Sequence, residues 1–187
     1  AGTVEFIYGR SGDADPAFYF LEMNTRLQVE HPITEMTLGV DLAVAQIRIA
    51  EGRDSGIQHP LTRNGHAIEF RIYAEDPIRF LPSPGTITVW EPPSGEGIRV
   101  DGGVTAGYRV SHFYDPLLAK LVVHAGTRDD AIQRAIGALE AFHVEGVKNN
   151  VQTHLEVLRS EEFLSGRYDT GLLDLLARRR RAALSQP

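Results

Sequence analysis

A chain of 187 residues, 42% hydrophobic and 24% charged, carries enough apolar content for one sizeable core, or one and a part, and too much for a disordered chain. Its net charge of -6 speaks against nonspecific nucleic-acid binding, which needs clustered Lys and Arg, and its lack of cysteine excludes disulfide scaffolds, zinc-thiolate sites, iron-sulfur clusters and cysteine nucleophiles. No window reaches the ~20 apolar residues of a membrane span, and the N-terminus lacks the charged-then-apolar layout of a signal peptide, so a soluble protein compatible with a reducing cytoplasm is expected.

Ala1 and Gly2 lead at once into TVEFIY (3–8), a strand pattern with no helix or cap before it, as expected of a piece of a longer chain. A second apolar run, FYFLEMN (18–24), follows the polar GRSGDADP, and the two predict a hairpin with a long loop. After Pro32 the pattern turns helical: Asp41 is a candidate N-cap, Leu42, Ala45, Gln46 and Ile49 recur at three and four, and Gly52 ends the helix, which should pack on the sheet.

Residues 53–65 read as a linker. Beyond it lie four strand-like runs, AIEFRIYAE (67–75), TITVWE (86–91), GIRVD (97–101) and AKLVVHA (119–125), separated by Gly- and Pro-rich turns. Thr127 with Asp130 three residues on is a capping-box arrangement, and Ile132, Ala135, Ile136, Leu139 and Phe142 continue that helix towards Gly146. VQTHLEVLRSEEFL and GLLDLLARRRR predict closing helices, with Arg178 to Arg181 as a solvated helix end. Strands followed by helices point to an α+β fold.

Chemistry concentrates in FYFLEMNTRLQVEHP (18–32). Its even positions carry Glu22, Asn24, Arg26, Gln28 and Glu30, while Tyr19, Leu21, Met23, Thr25, Leu27 and Val29 alternate with them. A strand with one wet face shows the same alternation, but this face has no Lys. From Glu22 to Glu30 a straight strand would cover roughly 26 Å, too far for one small ligand, so the chain bends or the groups serve two ligands. Glu22 and Asn24, with Glu5 opposite if the register allows, are hard oxygen donors suited to magnesium carrying nucleotide phosphates; Glu5 reads equally as a surface carboxylate. Arg26, Gln28 and Glu30 combine a cationic fork for a planar oxyanion, an amide donor and a carboxylate able to take a proton, and main-chain N–H groups near Val29 could join them. Arg71, flanked by Glu69 and Glu75, reads on spacing alone as a member of a cross-strand ion pair. The histidines show no metal-ligand spacing.

The string EMNTRLQVEHPITEMTLGVDLAVAQIRIAEG closely resembles the end of the ATP-grasp domain of biotin carboxylases, and GHAIEFRIYAEDP, FLPSPGTI, VDGGV, SHFYDPLLAKL and GVKNN resemble successive pieces of that family's C-terminal domain. The resemblance implies residues 1–60 as the C-terminal portion of the ATP-grasp domain and 61–187 as the biotin carboxylase C-terminal domain, a mixed or antiparallel sheet with C-terminal helices. It implies Glu5, Glu22 and Asn24 as ligands of Mg2+ (or Mn2+), with Glu5 and Glu22 also holding ATP. Arg26, Gln28 and the Val29 main chain would bind bicarbonate. Glu30 would deprotonate bicarbonate for attack on ATP, giving carboxyphosphate, and Arg71 would stabilise the biotin enolate that captures carbon dioxide. It further implies a biotin carboxyl carrier protein or domain and a carboxyltransferase as partners, a possible homodimer, and a cytoplasmic acyl-CoA carboxylase of the kind serving fatty acid biosynthesis. The family's glycine-rich lid and ATP-holding lysines do not occur in these 187 residues, so the chain by itself is expected to be inactive. Another ATP-grasp ligase, such as the carbamoyl-phosphate synthetase large chain, and a non-catalytic assembly module are the alternatives; Gln28 and Glu30 speak against the first.

Overall fold

Thr3–Gly9 (β1) and Ala17–Asn24 (β2) form the antiparallel hairpin that the two apolar runs predict. The structure, a computed structural model, describes residues 2–9, 15 and 17–184. Most of the loop joining these strands lies outside the described residues. The chain divides into two compact units, Ala1–Asn64 and Gly65–Pro187, each described by itself.

In the first unit Glu5 stands opposite Glu22, but between Glu5 and Phe6 the register slips by one residue, so that Phe6 faces Phe20 and Leu21 is the extra residue. The slip brings Phe6 onto Phe20 and Tyr8 onto Phe18, with ring centroids 6.2 and 5.0 Å apart. The aromatic half of the hairpin is thereby separated from its acidic half, as a bulge re-aims side chains.

Two helices follow where one was expected, His31–Leu38 (α1) and Leu42–Ala50 (α2). Pro32 sits in the first turn of α1, where its missing N–H costs nothing, and Gly39 ends the helix at φ 67. Asp41 caps α2 as its spacing predicts, accepting from the Val44 N–H at 2.7 Å. The buried Glu35 of α1 accepts from the Leu42 N–H, also at 2.7 Å, and so ties the two helices together. The expected packing of α2 over the hairpin is not observed: Tyr19, Leu21 and Met23 stay more than half exposed. The apolar side of α2, through Leu42, Ala45 and Ile49, instead shares a cavity with the turn at residues 26–31.

The second unit centres on a three-stranded sheet of His66–Tyr73 (β3), Leu117–Ala125 (β8) and Ile98–Gly102 (β6), in the order β3-β8-β6. TITVWE is broken into Gly85–Thr86 (β4) and Val89–Glu91 (β5), which pair with two short strands missed in the sequence, Arg109–Val110 (β7) and His143–Glu145 (β9). Every pairing is antiparallel. Arg128–Glu140 (α3), capped by Thr127 and Asp130, is followed by Val151–Arg159 (α4), Glu161–Ser165 (α5) and Leu172–Leu184 (α6). Ser160 divides the predicted VQTHLEVLRSEEFL helix in two by capping α5 through the Phe163 N–H.

Alternate residues of the sheet, Phe70, Ile72, Leu121 and Val123, pack with Ile132 and Leu139 of α3 and with Leu155 and Leu158 of α4. The basic run on α6 is more than a solvated end: Arg179 pairs with Glu162 of α5 and Arg180 with Glu156 of α4. Leu121, on the central strand, is fully buried, whereas Phe113 is 78% exposed. Leu121→Ala should therefore destabilise the protein by about 2–5 kcal/mol, and Phe113→Ala by less than about 0.5 kcal/mol, in urea unfolding.

Candidate functional site

The strand ends at Asn24, and the next six residues turn into α1. That bend draws the polar side chains together. The Asn24 amide donates to Glu5 Oε1 at 2.8 Å and to Glu22 Oε1 at 2.9 Å, and the Gln28 amide donates to the same Glu5 oxygen at 2.5 Å. Two carboxylates face each other across the hairpin, bridged by one amide. Like charges directly opposite repel, so this arrangement calls for donors or a cation between them. Among the described residues no group of three or more His, Asp or Glu side chains converges; a metal at this point would have two carboxylates and, after a half-turn of the amide, the Asn24 oxygen. That donor set fits magnesium, which takes one or two carboxylates and leaves its remaining positions to phosphate and water.

Gln28 also lines a cavity of about 240 Å³ beside this cluster, together with Arg26, Glu30 and His31 and with Ala45 and Gln46 of α2. The Gln28 carbonyl is hydrogen-bonded to the His31 ring Nδ1 at 2.7 Å and accepts from the His31 N–H at 3.3 Å, which tightens the turn. His31 is the first helical residue of α1 even though the following Pro32 disfavours that conformation. Glu30 is the N-cap residue of α1 but makes no side-chain cap bond there, and it is exposed. A guanidinium, an amide and an exposed carboxylate thus meet around one small volume, a set able to bind a planar oxyanion and to move its proton.

In the second unit Arg71 lies mid-strand in β3 and lines a cavity of about 560 Å³ with Glu69, Tyr73, Glu75, Asn150, His154 and Tyr168. It forms an ion pair along its own strand with Glu69, at 3.8 Å, and the residue opposite it across the sheet is Lys120. Lys120 pairs instead with Asp101 of β6 at 3.6 Å, and Arg99 holds the same carboxylate at 2.8 Å. Arg71 keeps 41% of its side chain exposed, against 12% for Lys120. Burial raises the Glu75 carboxyl above its usual range, opposed by a hydrogen bond with Asn150. Burial also lowers His154 below the ordinary imidazole value, against its hydrogen bond to the Arg71 carbonyl.

The family model described as "Biotin carboxylase C-terminal domain" matches residues 69–175. The chain belongs to the biotin carboxylase family. Residues 1–56 match a second model, "Carbamoyl-phosphate synthase L chain, ATP binding domain". Biotin carboxylase 1 of Bacillus subtilis is 45% identical over 176 residues, covering 93% of this chain and 38% of that protein. The biotin carboxylase of Halalkalibacterium halodurans is 47% identical over 173 residues, covering 92% of this chain and 37% of its own length. Among solved structures, the biotin carboxylase domain dimer of Hydrogenobacter thermophilus 2-oxoglutarate carboxylase, in complex with MgADP, ADP and bicarbonate, superposes with a TM-score of 0.86 at 43% identity, covering 93% of this chain and 38% of that one. The chain thus spans well under half the length of these biotin carboxylase relatives. Matches over both units to biotin carboxylases decide against the carbamoyl-phosphate synthetase alternative.

Within the first unit the structure brings Glu5, Glu22, Asn24 and Gln28 into one cluster and Arg26, Gln28 and Glu30 into one cavity. Val29 lies in the turn between Gln28 and Glu30, and Arg71 belongs to the other unit. Asn150 and His154 were not singled out from the sequence. The one signal there was GVKNN just ahead of a helix, a polar pair where a cap belongs. Because the folded His154 binds its proton less readily than the unfolded one, stability is fully present above the unfolded pKa near 6.5 and falls as pH drops through the lower folded value. His154→Gln should remove that part of the acid slope in urea unfolding below pH 6.5, and the His154 ring should titrate below 6.5 by NMR.

Proposed function

We propose that this chain is the part of a biotin carboxylase that holds the magnesium-phosphate, bicarbonate and biotin walls of the active site. Residues 1–60 would form the C-terminal portion of the ATP-grasp domain and residues 61–187 the biotin carboxylase C-terminal domain. The observation that carries the reading is the convergence of the Asn24 and Gln28 amides on the facing carboxylates of Glu5 and Glu22, next to a cavity holding Arg26 and Glu30.

Glu5, Glu22 and Asn24 would hold the magnesium that neutralises the phosphates of ATP. Arg26 and Gln28, with the Val29 main chain, would bind bicarbonate and aim its oxygen. Glu30, exposed at the cavity, would take the bicarbonate proton as that oxygen attacks the terminal phosphate, giving carboxyphosphate and ADP. Carboxyphosphate would then split into carbon dioxide and phosphate, and the phosphate would accept the ureido N–H proton of biotin. Arg71 would meet the negative charge on the ureido oxygen of biotin once its N–H is removed, since a preorganised guanidinium stabilises an oxyanion as it forms. Biotin would arrive on a carrier protein or domain and leave carboxylated for a carboxyltransferase. Assembly as a homodimer and a place in the cytoplasm complete the reading, supported by the dimeric 2-oxoglutarate carboxylase relative and by the lack, among the described residues, of a helix long and apolar enough to cross a membrane.

The test joins this chain to the part of Biotin carboxylase 1 from Bacillus subtilis that lies outside the match, and follows ATP cleavage with magnesium, bicarbonate and biotin. The joined chain should cleave ATP with dependence on all three, and the 187-residue chain should not. Glu30→Gln should lower the bicarbonate-dependent rate by about 10²–10⁴-fold. Arg71→Ala should lower the biotin-stimulated rate by about 10²–10³-fold. A joined enzyme that cleaves ATP without responding to biotin would show that the site belongs to another ATP-grasp ligase.

A further inference from the structure

β3 is an edge strand, and part of its outer edge is taken up by Asn150, the N-cap residue of α4, and by His154 of that helix. Asn150 Nδ2 donates to the Arg71 carbonyl at 3.0 Å, and Asn150 Oδ1 accepts from the Tyr73 N–H at 2.9 Å. One primary amide thus meets the two outward backbone groups that a neighbouring strand's peptides would otherwise engage. His154, one helical turn further on, adds Nε2 at 3.0 Å from the same Arg71 carbonyl, and its ring stands edge-on to Phe70 with centroids 5.4 Å apart. Asn150 is only 4% exposed.

The inner edge of β3 is irregular at the same place. The register with β8 slips between Ile72 and Tyr73, so the regular ladder ends one residue after Arg71. The backbone there is held on one side by a disrupted ladder and on the other by Asn150 and His154. The approach to α4 is itself fixed. Gly146 turns at φ 92, where a Cβ would lie 2.0 Å from the Thr86 carbonyl, and Asn149 Nδ2 donates to the Val144 carbonyl at 3.2 Å.

We propose that Asn150 and His154 are positioning residues for Arg71, acting through its carbonyl to fix where the guanidinium points in its cavity. The inference rests on the reading of Arg71 as the group that meets the biotin oxyanion. Capping a strand edge would stabilise the fold with or without that role, so the test separates the two.

In the joined enzyme, Asn150→Asp keeps the acceptor for the Tyr73 N–H and places an oxygen where the donor to the Arg71 carbonyl stood. His154→Leu removes the second donor, and His154→Gln supplies another. Asn150→Asp and His154→Leu should lower the biotin-stimulated kcat by about 10- to 100-fold relative to the biotin-independent ATP cleavage of the same preparation. His154→Gln should restore most of it. In an Arg71→Ala background neither variant should lower the rate further. Equal losses with and without Arg71, or an unchanged kcat, would overturn the proposal. If Arg71→Ala itself leaves biotin stimulation intact, the biotin reading fails, and the clamp is read in the 187-residue chain from the Arg71 Nε–H NMR signal. A shift or broadening in Asn150→Asp, with Arg99 unchanged, supports the clamp; an unaltered Arg71 signal overturns it.

Discussion

The first unit depends on one cross-strand pair, Glu5 opposite Glu22. A hairpin selected for stability alone would not place two carboxylates face to face, because like charges in that position repel. Here the pair is kept, and the structure around it answers the repulsion. The register slip after Glu5 turns the aromatic residues away from the acidic end, the strand stops at Asn24, and the turn brings Gln28 back onto Glu5. Two amides supply donors, and a divalent cation would neutralise the pair more completely. A local conflict held in place by its surroundings is what a binding site looks like in physical terms.

The second unit serves a different requirement. As the group proposed to meet the biotin oxyanion, Arg71 would have to offer its positive charge at its cavity. Its partner Glu69 stands at 3.8 Å, while the nearby Asp101 carboxylate is engaged by Arg99 at 2.8 Å and by Lys120. Arg71 keeps 41% of its side chain exposed. The packed face of the same sheet, built from Phe70, Ile72, Leu121 and Val123 against α3 and α4, makes the platform rigid. Side-chain aim is then set by the backbone of an edge strand, which is where Asn150 and His154 act.

Much of this was legible in the sequence because period and caps act locally. The alternation from Glu22 to Glu30 marked a polar face, the excess length of a straight strand left either a bend or two ligands, and Asp41 and Thr127 marked two helix starts. What was missed depended on distant partners. β7 and β9 are two- and three-residue strands whose identity lies in the strands they meet. α1 was hidden because Pro32 and a short apolar pattern resemble a turn. The expectation that α2 covers the hairpin failed because alternation states which residues share a face, not what lies over that face. Spacing put Glu69 and Glu75 beside Arg71, and Glu69 does pair with it; that Lys120 stands opposite is visible only in the register.

The facing carboxylates of Glu5 and Glu22, with Asn24, are proposed as a divalent-cation site. The most direct measurement is a titration of the 15N-labelled chain with Mn2+, following the side-chain amide signals of Asn24 and Gln28. Saturable broadening of both is expected, reversed by excess Mg2+ and lost in Glu5→Gln. Broadening that is absent from these amides, or unchanged in Glu5→Gln, would contradict it.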